Sequence, residues 1–349
     1  MHDEAELRER VLRAAANKMP LCIRGGGGKA FYGRHCDGEL LDVSGHRGIV
    51  SYEPSELVIT ARAGTPLAEI EALLARNGQL LPFEPPHFGP NATLGGMVAA
   101  GLSGPRRPWG GSARDAVLGV KLLNGRGEVL RFGGQVMKNV AGYDLSRLMA
   151  GALGALGVLL EVSLKVLPRP AEERTRVFEL GAEAAAARQI AWGRLPLSLS
   201  GTLYHAGRLH VRLCGSGQGV QAALDRLGGD EIAESPWLAA REQTLPFFQG
   251  EGTLWRISLP AAAPALNLPG EILTEWGGAL RWLRTDLPAE TLRRRVSAMG
   301  GHATLFRGHD GRGEVFQPLA PAMLALHQRL KLALDPHAIF NPGRLYEGL

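Results

Sequence analysis

The spacing of apolar residues predicts a mixture of helices and short strands from the start of the chain. Leu7, Val11 and Ala14 recur at helical spacing, which predicts a helix over 3–17 that Pro20 ends. Short apolar runs predict strands at 21–23, 39–43, 49–52 and 57–62. Thr65 and Pro66 predict the start of a second helix, with a capping hydroxyl and a proline in its first turn, that ends at 77–78. Such elements with short connections predict an α+β unit.

The later pattern predicts a second domain. A hairpin is predicted over 117–132, and alternation of apolar and polar residues over 158–166 predicts a strand that Pro168 and Pro170 end. Beyond it, strand-like pieces (202–205, 209–213, 254–259, 279–284) and helix-like pieces (182–192, 220–227, 290–299) predict an antiparallel sheet with helices on one face. A helix over 323–334 and the tail behind it are expected to pack back on the first domain. The predicted divisions are therefore 1–170, 171–322 and 323–349.

Composition narrows the class of protein. Of 349 residues, 45% are hydrophobic and 21% charged, as in ordinary globular proteins. The net charge of +5 is spread thinly and aromatic residues make up 6%, which disfavours a nucleic-acid-binding role. The acidic N-terminus does not resemble a signal peptide, and the apolar run 148–160 is short and holds three glycines, so we expect a soluble, cytoplasmic protein.

The three cysteines do not suggest a metal centre. Cys22, Cys36 and Cys214 are too widely spaced for metal ligands and too few for a four-thiolate cluster. We therefore expect no metal, and reduced thiols are the simplest interpretation.

Residues 25–28 are four consecutive glycines between Arg24 and Lys29. Glycines are retained where side chains must be absent, for example where main-chain N–H groups surround an anion. A flexible surface loop is the alternative, and this stretch alone does not decide between them. The dinucleotide loop G-x-G-x-x-G is excluded, because no amphipathic helix follows directly.

Two further segments are rich in small residues. Gly95, Gly96, Ala99, Ala100 and Gly101 would let a flat group or another backbone lie very close, or would form a tight helix–helix contact. Residues 109–115 contain a second paired glycine.

Six segments in order resemble FAD-binding proteins of the vanillyl-alcohol-oxidase type, also called the PCMH type. They are 24–28, 93–96, 109–115, 138–145, 151–157 and 335–343, the fourth reading Lys-Asn-Val-Ala-Gly-Tyr-Asp-Leu. The resemblance implies a two-part FAD-binding domain of this type plus an α/β cap domain with an antiparallel sheet, α+β overall. It implies that these residues contact FAD: Arg24, Gly25, Gly26, Gly27, Gly28, Lys29, Ala30, Thr93, Leu94, Gly95, Gly96, Gly101, Ser112, Arg114, Gly157, Val158 and Asn341.

The same resemblance implies how FAD is attached. The family often links FAD covalently to a histidine in the first loop, and Gly28 occupies that position here, so we expect a noncovalent cofactor. His35 and His87 are the remaining candidates for a link.

Residues 28–34 and 340–346 resemble the smaller flavin-binding subunits of bacterial glycolate oxidases. That likeness implies a complex with a larger flavoprotein subunit and an iron–sulfur subunit, and any contact with the inner membrane would be peripheral and through these partners. It also implies oxidation of glycolate, a 2-hydroxy acid, to glyoxylate, with electrons passed to an acceptor other than oxygen.

The predicted catalytic residues depart from the family. Its catalytic 2-hydroxy-acid subunits carry H-x-G-D-G-N-x-H, whereas residues 300–309 here contain only His302 and His309. His302 and Arg307 could serve as base and carboxylate clamp, or be a structural histidine and a surface arginine, and His327 could face the flavin edge. Our hypothesis is that the chain binds FAD without carrying the main substrate chemistry. A self-sufficient FAD-linked oxidase of another hydroxylated substrate, or an assembly subunit that has lost flavin, are the alternatives.

Overall fold

A computed structural model describes residues 3–134, 144–232 and 234–349. Its strands, numbered in chain order, are β1 Leu21–Arg24, β2 Glu39–Asp42, β3 Ile49–Glu53, β4 Val58–Arg62, β5 Gln79–Leu80, β6 Val117–Leu123, β7 Val129–Gly133, β8 Val158–Lys165, β9 Leu167–Pro168, β10 Glu172–Glu179, β11 Leu199–His205, β12 Arg208–Gly215, β13 Asp230–Glu231, β14 Leu254–Ser258, β15 Glu271–Glu275, β16 Leu280–Arg284 and β17 His302–Arg307.

The helices are numbered in the same way. They are α1 Glu4–Asn17, α2 Leu67–Arg76, α3 Leu94–Ala100, α4 Arg107–Gly110, α5 Ala113–Ala116, α6 Leu145–Leu148, α7 Ala182–Gly193, α8 Gly217–Leu227, α9 Trp237–Glu242, α10 Pro246–Gln249, α11 Ala289–Ala298 and α12 Pro321–Leu334. None of them is long and apolar enough to cross a membrane.

The chain divides into two compact units. The first comprises Met1–Leu102, Ser112–Pro168 and Asp310–Leu349, and the second comprises Ser103–Gly111 and Arg169–His309. The C-terminal segment of the first unit thus begins at Asp310, before α12, whereas the sequence placed that boundary at 323.

The first unit is built around a five-stranded antiparallel sheet in the order β3-β4-β8-β6-β7. Strand β8 is central in this sheet, and its polar Ser163 is buried, where it shares a 2.8 Å hydrogen bond with Thr60. The alternation that predicted this strand is present, but its polar side is only partly exposed, with Glu161 and Lys165 half-buried.

A smaller parallel pair, β1 and β2, holds the start of the glycine run. The apolar side of α1 packs on it as predicted: Leu7, Val11 and Ala14 share a buried cluster with Leu21 and Phe340. Leu21 also forms an isolated bridge with Phe340, so the C-terminal segment extends this small sheet. The glycine run therefore begins at the end of a strand that is fixed from three sides.

The second unit is an eight-stranded antiparallel sheet in the order β13-β10-β12-β11-β15-β16-β14-β17. Helices α7 and α8 pack on Leu209, Val211 and Leu213, and α11 packs on Trp255 and Ile257. Strand register places these two clusters on one face, because side chains alternate along each strand. The predicted fold class, α+β with an antiparallel sheet in the second part, is confirmed. The expectation that helices cover only one face is wrong, because α9 and α10 pack on the other face. Trp237 of α9 lies 4.8 Å from the Arg212 guanidinium, and the Phe248 ring of α10 lies 5.4 Å from that of Trp282.

Several predicted details are wrong. The Thr65 hydroxyl does not cap α2; it accepts a hydrogen bond from the Gly48 N–H at 2.9 Å, and Pro66 precedes the first turn of α2. Strands β10, β15 and β17 were not predicted. Residues 138–143 of the fourth motif lie outside the described residues, and α6 begins at its last residue, Leu145.

Candidate functional site

A cavity of about 380 Å³ lies within the first unit, at the end of β1. Its walls come from four parts of the chain: the glycine run, the start of α3, the loop before β8, and the C-terminal segment. The lining residues used below are Cys22, Arg24, Gly25, Gly26, Gly27, Gly28, Lys29, Ala30, His35, Cys36, Thr93, Gly95, Gly96, Leu153, Gly157, Asn341 and Arg344.

Main-chain donors are the first chemical feature of this cavity. Within the described residues, the N–H groups of Gly25, Gly26, Gly27 and Gly28 donate no hydrogen bond. An unpaired N–H group needs a partner, and successive N–H groups of this kind form concave anion sites. The chemistry of these donors fits a phosphate or pyrophosphate.

The glycines are required by what lies behind them. A Cβ on Gly26 would fall on the Asn91 carbonyl, and a Cβ on Gly25 would meet the Thr93 hydroxyl. A Cβ added to Gly28 would lie 2.8 Å from the Phe88 carbonyl oxygen. Gly27 has a φ of +75°, which favours glycine. The run is therefore a tightly packed cradle, so the flexible-loop interpretation is wrong.

The charge around the cavity is positive. Arg24, Lys29 and Arg344 line it, and none of the described residues that line it is an aspartate or a glutamate. Lys29 Nζ donates to the His87 carbonyl at 3.3 Å and lies 5.6 Å from the centre of the Phe88 ring. Fixed cations beside free N–H groups favour an anionic ligand, because both act at short range.

The second wall begins at α3. The Thr93 hydroxyl caps this helix by accepting a hydrogen bond from the Gly96 N–H at 3.2 Å. Gly95 donates to the Ala63 carbonyl at 2.7 Å, and a Cβ there would press on the Ala63 side chain. The small residues thus bring the backbone of α3 against β4 and leave a smooth apolar wall, which suits a flat ring.

The C-terminal segment fastens the cradle through side chains. Asn341, with a φ of +40°, accepts from the Ile23 N–H at 2.7 Å and donates to the Leu153 carbonyl at 2.5 Å. It joins β1 to the loop before β8, so it sets the width of the cavity.

Arg344 holds the far side of the glycine loop. Its guanidinium donates to the main-chain carbonyls of Ala30, Tyr32 and Arg34 at 2.8, 2.8 and 2.6 Å. Burial lowers the pKa of Arg344. One planar side chain thus binds three main-chain carbonyls of the loop at once.

A buried ion pair anchors α12 to this segment. Lys331 Nζ lies 2.8 Å from Asp335 Oδ2 and donates to the carbonyls of Ala155 and Phe340 at 2.7 and 2.6 Å. Burial lowers the pKa of Lys331, and Asp335 opposes that shift. This contact holds the loop before β8 and the tail in one place.

The cavity gathers most of the predicted FAD-binding residues. All of residues 24–30 line it, together with Thr93, Gly95, Gly96, Gly157 and Asn341. Five predicted residues do not line it, each for a structural reason. Leu94 and Val158 are buried in the two cores, Gly101 ends α3 in a left-handed turn, Ser112 caps α5, and Arg114 lines a separate cavity of about 200 Å³.

The predicted catalytic residues, in contrast, do not line one common cavity. His302 and Arg307 lie at opposite ends of β17 in the second unit, roughly 17 Å apart at the usual rise per residue. That separation argues against both contacting one small hydroxy acid. Burial and, secondly, Arg256 lower the pKa of His302; burial and, secondly, Arg284 lower that of Arg307.

His327 lies on α12 in the first unit. Its Nδ1 is 2.8 Å from the Met323 carbonyl, and its ring lines the smaller cavity with Arg114 and Lys331. It does not line the cavity of the glycine cradle.

Sequence reasoning missed three lining residues of chemical interest. Arg344 follows the Asn-Pro-Gly turn directly, which could have indicated it. Cys22 and Cys36 also line the cavity and are joined by a disulfide, so the expectation of three reduced cysteines is wrong for this pair. The sequence signal for this disulfide was that Cys22 and Cys36 lie on either side of the glycine run.

Comparison with known proteins identifies the family. The FAD binding domain family matches residues 1–133. The glycolate oxidase subunit GlcE of Escherichia coli strain K12 is 54% identical over 343 residues, which cover 98% of this chain and 97% of that protein. The chain belongs to the GlcE family. It is thus an FAD-binding oxidoreductase by family.

Other relatives share only part of the chain. The glycolate oxidase subunit GlcD of Bacillus subtilis is 30% identical over 162 residues, 46% of this chain and 34% of that protein. The mitochondrial D-lactate dehydrogenase (cytochrome) of Arabidopsis thaliana is 31% identical over 133 residues, 38% of this chain and 23% of that protein. A solved alkyldihydroxyacetonephosphate synthase superposes with a TM-score of 0.68 over 98% of this chain and 75% of that one, at 15% identity, which shows a shared fold.

Proposed function

We propose that this chain is the smaller FAD-binding subunit of a glycolate oxidase complex, which oxidises glycolate to glyoxylate and passes the electrons to an acceptor other than oxygen. A larger flavoprotein subunit and an iron–sulfur subunit are the proposed partners. The near full-length likeness to GlcE supports this assignment. The single observation that carries it is the cradle of four unpaired N–H groups in a positively charged cavity.

Two parts of the cavity would hold two chemically different parts of FAD, the charged pyrophosphate in the middle of the molecule and the apolar flavin ring. The N–H groups of Gly25 to Gly28, with Arg24 and Lys29, would bind the pyrophosphate. The apolar wall beside Gly95 and Gly96 would receive a flat ring. Bound FAD supplies the hydride acceptor for a 2-hydroxy acid. The protein contributes position and exclusion of water.

The attachment is proposed to be noncovalent. Gly28 cannot form a histidyl link, and among the described residues that line the cavity His35 has the one imidazole. His35 Nε2 lies 3.0 Å from Asp37 Oδ1 and its side chain is largely exposed, so it is held toward solvent by an outer carboxylate.

Substrate oxidation is proposed to reside mainly in the larger subunit. A 2-hydroxy acid needs a base for its hydroxyl proton and a cation for its carboxylate at one place. His302 and Arg307 lie at opposite ends of β17, and His327 lines the smaller cavity. The described residues therefore offer no compact base-and-cation pair at these predicted positions.

The test begins with the purified chain. We expect it to be yellow, with flavin absorbance, and we expect acid precipitation to release all flavin into the supernatant. Colourless protein that takes up no added FAD would overturn the FAD-binding role, and flavin retained in the pellet would overturn the noncovalent attachment.

A second measurement tests which subunit oxidises glycolate. We expect little dye reduction with glycolate from the isolated chain, and turnover once the larger flavoprotein and iron–sulfur subunits are added. Full turnover by the chain alone would instead favour a self-sufficient oxidase.

A further inference from the structure

The cysteine pair encloses the cofactor cradle. Cys22 lies on β1, three positions before Gly25, and Cys36 lies eight positions after Gly28, so the disulfide closes the segment that contains all of Arg24 to Gly33. The two Cα atoms are 6.1 Å apart, and 14 positions separate them in the sequence. Both side chains line the cavity and both are only half-buried, so a small thiol can reach them.

We propose that Cys22 and Cys36 form a reversible thiol–disulfide pair that sets how tightly the cradle holds FAD. This inference rests on the proposed binding of FAD at the cradle. Glycine-rich chain loses the most conformational freedom on ordering, and a cross-link at the base of a loop removes part of that freedom beforehand. Pre-ordering a binding loop raises affinity without adding any contact to the ligand.

The contacts of the pair show how the effect reaches the cradle. Cys36 Sγ lies 3.9 Å from Asn341 Oδ1, the atom that accepts from the Ile23 N–H. The disulfide therefore joins the two ends of the loop beside the residue that fastens it to the C-terminal segment. Arg344 holds the loop at a separate place, so opening the disulfide loosens the base of the cradle and leaves its far side fixed.

The chemical step is thiol–disulfide exchange. A thiolate of a dithiol attacks one sulfur, the S–S bond breaks, and the departing sulfur takes up a proton. The second thiol of the reagent then resolves the mixed disulfide. Two electrons and two protons pass from the dithiol to the pair, and the dithiol becomes a disulfide. Oxidised glutathione reverses the reaction by the same route.

Linkage makes the effect reciprocal. If the oxidised pair raises the affinity for FAD, then bound FAD must favour the oxidised pair by the same factor. Because both sulfurs belong to the wall of one cavity, a ligand in that cavity also restricts access to them. FAD is therefore expected to slow reduction of the pair.

The third cysteine provides a matched control. Cys214 lies on β12 in the second unit, 3.1 Å from Arg106 Nη1, and takes no part in the disulfide. Cys214→Ser should keep the response to dithiothreitol, whereas Cys22→Ser/Cys36→Ser should behave like the reduced protein whether or not dithiothreitol is present.

The experiment compares apo-protein treated with oxidised glutathione and apo-protein treated with dithiothreitol under nitrogen. Thiols counted after denaturation should rise from one to three, and the Kd for FAD, from quenching of flavin fluorescence, should weaken at least about fivefold on reduction. Thiol appearance should slow when FAD is present. Far-ultraviolet circular dichroism verifies that each form is folded. If the double variant does not fold, the reduced wild type takes its place as the form without the disulfide.

Three outcomes would overturn the proposal. They are three thiols after treatment with oxidised glutathione, equal Kd values for the oxidised and reduced forms, or a double variant that still responds to dithiothreitol. Failure of every form to bind FAD would instead overturn the proposed function of the chain, so the two failures are distinguishable.

Discussion

The cavity of the first unit and the sheet of the second handle positive charge differently. Around the cavity, Arg344 and Lys29 donate to main-chain carbonyls. In the second unit, arginines also stack on indole rings, an arrangement that the cavity lacks among its described lining residues. Arg256 lies 5.2 Å from the centre of Trp276, and Arg212 lies 4.8 Å from that of Trp237. Beside these side chains, the cavity offers the main-chain N–H groups of four consecutive glycines, Gly25 to Gly28. The stacking in the second unit depends on strand register, which brings Arg256 opposite Trp282.

This difference explains why the glycine cradle could be predicted from the sequence and the arginine–tryptophan contacts of the second unit could not. A backbone site needs glycines at fixed places in one short segment, so its signature is local. A side-chain cluster on an antiparallel sheet draws on distant segments, and a slip of one residue would turn every side chain to the other face. The following predictions test the comparison, beginning with the largest expected effect.

Gly26→Ala should damage the cradle most. Its methyl group would overlap the Asn91 carbonyl, and backbone cannot move aside as a side chain end can. We expect FAD to bind at least about 100-fold more weakly, from overpacking of about 3 kcal/mol. The measurement is the Kd for FAD by fluorescence quenching.

Gly313→Ala is its control, because nothing lies within 4 Å of an added Cβ there. Equal Kd values for the two alanine variants would show that the cradle does not need its glycines.

Asn341→Asp should come next. The change replaces the amide donor to the Leu153 carbonyl with an acceptor and adds negative charge to a cavity proposed to bind an anion. We expect binding of FAD to weaken about 10- to 100-fold. Titration of the apo-variant with FAD measures this.

Asn77→Asp, at the exposed end of α2, makes the same chemical change outside the cavity and should leave the Kd unchanged. An unaltered Kd for Asn341→Asp would argue against a role of the C-terminal segment in the cradle.

Arg344→Lys should have a smaller effect. A lysine keeps the charge but cannot donate to three carbonyls in the fixed plane that the guanidinium provides. We expect the Kd for FAD to rise about fivefold. We expect the free energy of unfolding, measured in urea, to fall by about 1–2 kcal/mol. Arg329→Lys, on the exposed side of α12, is the matched control. If both variants match the wild type, charge alone accounts for Arg344.

The second unit should respond to pH through His210, with the smallest effect. Burial, aided by Arg208, lowers the pKa of His210 from 6.5 to about 4, and its buried Nδ1 has no hydrogen-bond partner among the described residues. The folded state therefore holds the neutral ring. Its contribution is complete above pH 6.5 and is lost as the pH falls toward 4, about 1–2 kcal/mol after allowance for solvent screening.

His210→Gln should flatten the dependence of the free energy of unfolding on pH between 6.5 and 4, as measured in urea at several pH values. His205→Gln is the comparison, since His205 is paired with Glu271 at 2.6 Å on the neighbouring strand. A wild-type slope in His210→Gln would mean that another group titrates in this range.

The amino-acid sequence by itself determined the local parts of this protein. The periodicity of α1, the hairpin of β6 and β7, and the glycine run are encoded in contiguous residues, and the structure has each of them. The same is true of the cradle residues 24–30, whose chemistry lies in the missing side chains and the main-chain N–H groups of Gly25 to Gly28. The antiparallel nature of the second sheet also followed from short alternating pieces.

Only the tertiary structure determined which distant residues contact these local elements. Arg344 and Asn341 contact residues 30 and 23, more than 300 positions away, and the disulfide depends on how β1 and the segment after the run return to one point. The structure also separated His302 from Arg307 along β17, a strand the local pattern did not predict. Such contacts depend on chain return and strand register, which short-range periodicity does not encode.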